Sequence, residues 1–218
     1  MMRVFWEEWR VVGRFSFLNL LPILAAAVAA FLLLTQFQPG ALFVALAAMA
    51  LVGGSISGTQ RWNTVPAWVW VGTEDVSPLA YTLGKVAGFL LILVTWIAFV
   101  LPPLLLVSLL WGLPWQVLAT SLVWVLAGGL AAQALAHVVT WGESDYAKLI
   151  VATLVLSWLI ASLQHPLTRG LNPLWQIWNL FREPQAGFDF ASLGVLLGLS
   201  ALLWGLVVWG LEGREHQK

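Results

Sequence analysis

The sequence predicts an all-α membrane protein that crosses the bilayer six times. Of its 218 residues, 61% are hydrophobic and only 9% are charged, whereas soluble domains carry about 25% charged residues. There is no charged side chain between Arg14 and Arg61, and none between Lys85 and Glu143. Each of these stretches is long enough for two helices of about 20 residues. Turn-forming residues divide them, at 38–40 and at 112–114.

Six spans follow from this division of the chain, and the formal charges are expected at or beyond their ends. The predicted spans are 17–36, 41–58, 84–111, 115–140, 147–163 and 192–211. The first 15 residues and two long connecting segments, 59–83 and 164–191, remain outside them.

The distribution of basic residues predicts that both termini are cytoplasmic. With that orientation the inner segments hold eight Lys and Arg residues and the outer segments hold only Arg169 and Arg182, as the positive-inside rule requires. The expected location is the cell (inner or plasma) membrane, with multiple passes.

Several classes of function are excluded by what the sequence lacks. A net charge of zero supplies no basic face for nucleic acid, and zero cysteines exclude disulfides and thiolate metal sites. No catalytic constellation lies in the spans, so no enzyme activity, metal or cofactor is expected on this chain. No phosphate-binding loop occurs, so any ATP and Mg²⁺ would be bound by a partner polypeptide.

Residues 1–15 predict an amphipathic helix lying on the membrane surface. Arg3, Glu7, Arg10 and Arg14 form one helical stripe, and Trp9 lies on the opposite, apolar side. Such a helix is either a simple topogenic anchor or a connecting helix that contacts a cytosolic partner.

The inner segment 59–83 is too apolar for a freely solvated loop. Trp62, Trp68 and Trp70 suit the membrane interface, and Pro78 favours a helix start. The segment predicts a compact structure presented to the cytosol.

The outer segment 164–191 contains apolar residues at helical spacing around LNPLWQIWNLFREP. Pro173 would lie in the first turn of this helix, and Pro184 would follow its end. Two alternatives stay open, a short amphipathic helix in the outer leaflet or a re-entrant hairpin.

Two histidines lie near span ends, His137 at the inner end of span four and His165 beyond the outer end of span five. An intramembrane histidine is a candidate proton relay or haem ligand. At these positions an interfacial polar residue is the simpler interpretation.

Three features together resemble the permease subunit of type-two ABC exporters. These are the N-terminal amphipathic helix before six spans, the inner loop with Asn63-Thr64 and VSPLAYTLGK (76–85), and the Leu171-Asn172-Pro173-Leu174 step before the last span. Gln60 and Arg61 stand where that family often has an acidic residue. The length and span count also resemble the CcmB-type haem-exporter permease, although the Gly-Gly-Leu-Leu run of its fifth span is missing.

The resemblance implies a permease that pairs with a second copy or a sister permease and docks on two ATPase subunits. The implied coupling residues are Asn63, Thr64, Pro66, Trp68, Trp70, Glu74, Asp75 and Ser77. The implied outer re-entrant residues are Asn172, Pro173, Trp175 and Trp178. Spans two and five would line a path for a lipid-like substrate. A CcmB-like subunit, a haem-handling protein and a membrane scaffold or assembly subunit remain the alternatives.

Overall fold

The computed structural model describes residues 14–34, 36, 38–58, 76–139, 147–183 and 187–215. Every regular element in these ranges is an α-helix, which confirms the all-helical prediction for this part of the chain. The helices are α1 (Arg14–Leu34), α2 (Pro39–Gly58), α3 (Pro78–Leu110), α4 (Trp115–Val139), α5 (Ala147–Ala161), α6 (Pro166–Arg169), α7 (Pro173–Arg182) and α8 (Phe190–Glu215).

Three of these helices are long and apolar enough to cross a membrane, over Pro78–Leu110, Trp115–Val138 and Phe190–Gly213. Shorter apolar helical segments are Leu20–Ala29 and Gly40–Ile56. The chain therefore has the helices of a membrane protein. The lengths fit, because about 20 residues at 1.5 Å each cross a hydrocarbon layer of about 30 Å.

Helices α2, α3 and α4 form the centre of the bundle and approach one another closely at glycines. A Cβ atom on Gly53 would lie 2.8 Å from the Trp96 ring, and one on Gly54 would lie 2.8 Å from Leu93 Cδ1. On the other side of Leu93, a Cβ on Gly129 would lie 2.5 Å from Cδ2. Because these glycines have no side chains, the three helices pack closely around Trp96 and Leu93. Neither of these two side chains has any exposed surface.

The successive contacts of Gly53 and Gly54 with Trp96 and Leu93 run in opposite directions, so α2 and α3 are antiparallel. The short turn after α3 makes α4 antiparallel to α3. The first residues of α2 and α4 therefore lie at the same end of the bundle, here named the upper end. The lower end holds the first turn of α3 and the last turn of α4.

The bounds of α3 differ from the predicted span. The helix begins at Pro78 rather than at residue 84, because the Ser77 side chain caps it and accepts a hydrogen bond from the Ala80 backbone nitrogen at 3.2 Å. Lys85 is consequently seven residues inside α3 and only 7% exposed. Because α3 has 33 residues and extends for about 50 Å, more than the hydrocarbon thickness of about 30 Å, its first turns can lie outside that layer. The expectation that every formal charge lies at or beyond a span end therefore stays a prediction.

Helix α5 is shorter than the predicted fifth span. Its 15 residues extend for only about 22 Å, less than the hydrocarbon thickness of about 30 Å. Val155 and Leu159 of α5 pack in one cluster with Leu51 of α2 and Ala132 of α4. Because Leu51 and Ala132 lie well below the upper end, α5 ends inside the bundle.

Candidate functional site

Helix α7 is held at its N-terminus by Asn172, which uses both ends of its side-chain amide. Its Oδ1 accepts hydrogen bonds from the backbone nitrogens of Leu174 at 2.9 Å and Trp175 at 3.1 Å. Its Nδ2 donates to the Leu159 carbonyl at 2.8 Å and to the Ser162 hydroxyl at 2.9 Å. Asn172 is 2% exposed, and all four of its hydrogen-bonding positions are filled.

The first turn of α7 lies deep in the bundle. A Cβ on Gly128 of α4 would lie 2.6 Å from Pro173 Cγ and 3.4 Å from Leu51 Cδ1. Gly128 is 13 residues below Trp115 and Leu51 is 12 below Pro39, which places Pro173 about 18–20 Å below the upper end.

The last turn of α7 returns to the upper end. A Cβ on Gly40, at the start of α2, would lie 3.1 Å from the ring carbons of both Phe181 and Trp178. The rings of Phe43 and Phe181 are 5.3 Å apart, and Ile177, in the same cluster, has no exposed surface. Helix α7 thus runs along α2 from mid-bundle to the upper end.

A polar recess opens beside α7 towards the upper end, with a volume of about 640 Å³. Its polar side chains are Arg169, Gln176, Asn179 and Asp189, and its aromatic walls are Trp175, Phe188 and Phe190.

Hydrogen bonds fix the polar groups of this recess. Arg169 donates from Nε and Nη2 to the Leu163 carbonyl at 3.1 and 2.9 Å, and its guanidinium lies 4.7 Å from the centre of the Trp175 ring. Gln176 Nε2 donates to the Gly170 carbonyl at 2.8 Å and to Asp189 Oδ2 at 3.1 Å.

Asp189 is the N-cap of α8, because its Oδ1 accepts from the Ser192 backbone nitrogen at 3.0 Å. Partial burial acts to raise the pKa of this carboxyl group, but hydrogen bonds from Ser192, Gln176 and the Ala191 backbone outweigh it and lower the pKa. The group is therefore an anion at neutral pH.

A second polar cluster is buried near the lower end, between α3, α4 and α8. Lys85 and Thr82 of α3 are 7% and 3% exposed, and Gln133 and His137 of α4 are 1% and 2% exposed. His137 Nδ1 donates to the Gln133 carbonyl at 2.8 Å, and the imidazole packs 4.5 Å from the Trp204 ring. His137 lies two residues before the end of α4, near a helix end as the sequence predicts, and α8 covers its side chain.

Three buried polar atoms of this cluster have no hydrogen-bond partner among the described residues, namely Thr82 Oγ1, Gln133 Oε1 and Trp204 Nε1. Buried polar groups are normally paired. The cluster is nevertheless closed by apolar neighbours such as Ala134 and Val207.

An apolar groove of about 400 Å³ lies between α1, α2, α5 and α7. Its lining includes Leu24 and Val28 of α1, Val44 and Met49 of α2, and Leu156 of α5. The second and fifth predicted spans, which the resemblance implies as the substrate path, thus both face this groove.

The predicted outer residues are brought together, whereas most of the predicted inner ones lie outside the described residues. Pro173 is buried against Gly128, Trp175 forms a wall of the recess, and Trp178 packs at Gly40. Of the predicted coupling residues only Ser77 is described. The others, outside the described residues, are Asn63, Thr64, Pro66, Trp68, Trp70, Glu74 and Asp75. The same holds for Arg3, Glu7, Trp9 and Arg10 of the predicted surface helix, while Arg14 is the first residue of α1.

The charged residues of the recess were not predicted as functional residues. Asp189, three residues before Ser192 and just ahead of an apolar run, carries a recognisable N-cap signal. Arg169 and Gln176 have no such signal, because only the reversal of the chain after α5 brings them together. The described residues contain no group of three or more His, Cys, Asp or Glu side chains that fits a metal ion.

Comparisons with protein-family profiles, curated proteins and solved structures find no match to this chain.

Proposed function

We propose that this chain is the permease subunit of a type-two ABC exporter, multi-pass in the cell membrane with both termini cytoplasmic. The upper end then faces outward and the lower end faces the cytosol. It pairs with a second copy or a sister permease, and separate ATPase subunits supply ATP and Mg²⁺. Helices α1 to α4 and α8 each make one crossing, and α5 and α7 together make the remaining one.

The observation that carries the proposal is the depth of α7. Its first turn starts about 18–20 Å below the bundle's upper end, so in a bundle that spans the bilayer the non-helical backbone around Asn172 would lie within the membrane. Such backbone is tolerated where protein or a water-filled cavity surrounds it. A crossing that is interrupted between α5 and α7 suits a translocation path, whereas a scaffold of packed helices does not require one.

The apolar groove adds support of a different kind. It is lined by α2 and α5 and contains no charged side chain among its lining residues. A surface of this chemistry suits a lipid-like substrate or a second permease copy. The haem alternative loses support at His137, which is enclosed between Gln133 and Trp204, whereas His165 is exposed.

A crosslinking experiment with matched positions tests the proposal. Leu79 and Leu109 are exposed at opposite ends of α3, by 56% and 80%. A photo-crosslinking amino acid replaces each in turn, in cells of the native host, and mass spectrometry identifies the captured proteins. We expect an ATPase subunit at Leu79 and none at Leu109.

A functional arm completes the test. The captured ATPase is reconstituted with the full chain and with a chain lacking residues 64–77. We expect the full chain to alter ATP hydrolysis and the deletion to abolish that effect while inserting normally. Absence of any ATPase at Leu79, or unchanged hydrolysis with the deletion, would overturn the proposal.

A further inference from the structure

The polar recess beside α7 is open on the side of the bundle, below its upper end. Phe188 stacks on Trp124 with ring centres 5.9 Å apart, and Trp124 is nine residues below Trp115 in α4. This places the wall of the recess about 14 Å below the start of α4. Charged groups at that depth require water or a polar ligand around them.

The recess holds one positive and one negative side chain that are not paired with each other. Within the described ranges, neither Arg169 nor Asp189 takes part in an ion pair, although both line the same cavity. Two of the five guanidinium N–H groups are used by the Leu163 carbonyl. The remaining groups present a donor surface of the kind that binds phosphate.

The opposite wall has the chemistry of an ammonium site. Phe188 and Phe190 flank Asp189 in the chain, and their rings are 4.6 Å apart. Aromatic faces next to a carboxylate attract organic cations through the ring quadrupole and the negative charge.

We propose that this recess binds a zwitterionic phospholipid headgroup, with the phosphate at Arg169 and the ammonium at Asp189. Gln176 is a positioning residue, because its amide holds Asp189 Oδ2 from one side and the Gly170 carbonyl from the other. The cavity of about 640 Å³ lies within the range of small-molecule sites, about 300–1,000 Å³.

A lipid is favoured over a soluble phosphate ester by the surface next to the recess. Phe190 is 76% exposed at its rim, and Leu197, two turns further along the same face of α8, is 41% exposed. Acyl chains can follow this apolar face while the headgroup occupies the recess.

Binding is tested on the full chain, purified in mild detergent, by native mass spectrometry with short-chain lipids. Phosphatidylethanolamine carries both charges, phosphatidylglycerol lacks the ammonium, and glycerophosphoethanolamine lacks the acyl chains. We expect phosphatidylethanolamine to bind most tightly. Equal affinity for the two lipids would overturn the ammonium assignment, and equally tight binding of glycerophosphoethanolamine would overturn the lipid source.

Three substitutions locate the site. Arg169→Gln is expected to weaken phosphatidylethanolamine binding about tenfold or more, the effect of losing a charge-assisted hydrogen bond. Asp189→Asn keeps the cap oxygen of α8 and is expected to weaken phosphatidylethanolamine but not phosphatidylglycerol. Arg182→Gln is the matched control, because Arg182 lies 5.8 Å from the same Trp175 ring but does not line the recess.

A conservative variant, Arg169→Lys, separates loss of lipid binding from loss of folding. Arg169→Lys keeps the positive charge but lacks the paired N–H donors of the guanidinium. We expect its affinity for phosphatidylethanolamine to fall between those of the parent chain and Arg169→Gln. Unchanged affinity in all the recess variants would overturn the site. Lipid binding requires no ATPase, so this inference and the proposed transport function fail in separate experiments.

Discussion

The Asn172 side chain joins the end of α5 to the start of α7, donating from Nδ2 to the Ser162 hydroxyl at 2.9 Å. The same amide caps α7 through Oδ1. One residue therefore satisfies the donors at the start of one helix and a carbonyl near the end of another. Pro173 adds to this by fixing the backbone of the first turn without needing a hydrogen-bond partner for its nitrogen.

Replacement of Asn172 is expected to destabilise the protein by about 2–4 kcal/mol, because Asn172→Ala removes the cap and two buried donors together. Ser162→Ala removes one of these bonds together with the hydroxyl's own donation to the Leu159 carbonyl at 3.1 Å, and it is expected to cost about 1–2 kcal/mol. Denaturation of the detergent-solubilised chain, followed by circular dichroism, measures both. Equal effects of the two substitutions would contradict the bridging role of Asn172.

Gly128 is expected to tolerate no side chain, because the Pro173 ring is too rigid to move away from a Cβ at 2.6 Å. Gly128→Ala should destabilise the chain by about 1–3 kcal/mol through overpacking and displace α7. A spin-label distance between α4 and α7 should lengthen in the variant.

Gly194 and Gly198 of α8 provide the control, because no heavy atom lies within 4 Å of a Cβ at either position among the described residues. Alanine there should raise stability by about 0.5–1 kcal/mol through helix propensity. A loss of stability at Gly198 would reveal a close neighbour from outside the described chain.

In the buried polar cluster at the lower end, removal of a hydroxyl group is expected to stabilise the protein. Thr82 is 3% exposed and its hydroxyl has no partner among the described residues, so it carries a desolvation cost. Thr82→Val removes that cost and should raise the free energy of unfolding by about 1 kcal/mol. Ser121→Ala is the comparison, because the Ser121 hydroxyl donates to the Val117 carbonyl at 2.7 Å. Destabilisation by Thr82→Val would indicate a partner for the hydroxyl.

The helices were predicted well from the long apolar runs between charged residues. In a bilayer such a run must satisfy its backbone hydrogen bonds within itself, and an α-helix does so. The turn at 112–114 ends α3 and starts α4 as expected, and Gly112 supplies a φ of +62° there. The start of α7 was also predicted, because proline in the first turn of a helix is a local signal, whereas Asn172 was singled out only through the family resemblance.

What the sequence left unpredicted has a different origin. Burial of His137 depends on Trp204 of α8 packing against α4, a contact between residues about 70 positions apart in the chain. Periodicity describes one helix at a time and carries no information on such contacts. The end of α5 inside the bundle was missed for the same reason, since apolar length alone suggested a full span.

Asp189 makes stability depend on pH in a defined direction. Partial burial acts to raise its pKa, but the hydrogen bonds from Ser192 and Gln176 lower it overall. Because the pKa is lower in the folded than in the unfolded chain, the carboxylate contributes stability above the unfolded value of about 3.9 and loses it as pH falls through the lowered folded value. Asp189→Asn should therefore be less stable than the parent chain at pH 7, with the difference shrinking below about pH 4.

Thermal unfolding in lipid-free detergent, measured from pH 7 to pH 3, checks this prediction. Ser192→Ala is a useful companion because it removes one hydrogen bond that lowers the pKa of Asp189. The loss of stability on acidification should then begin at a higher pH than in the parent chain. A difference between Asp189→Asn and the parent chain that stays constant down to pH 3 would contradict the lowered pKa. It would indicate that the carboxylate acts on α8 through hydrogen-bond geometry alone, which asparagine reproduces only in part.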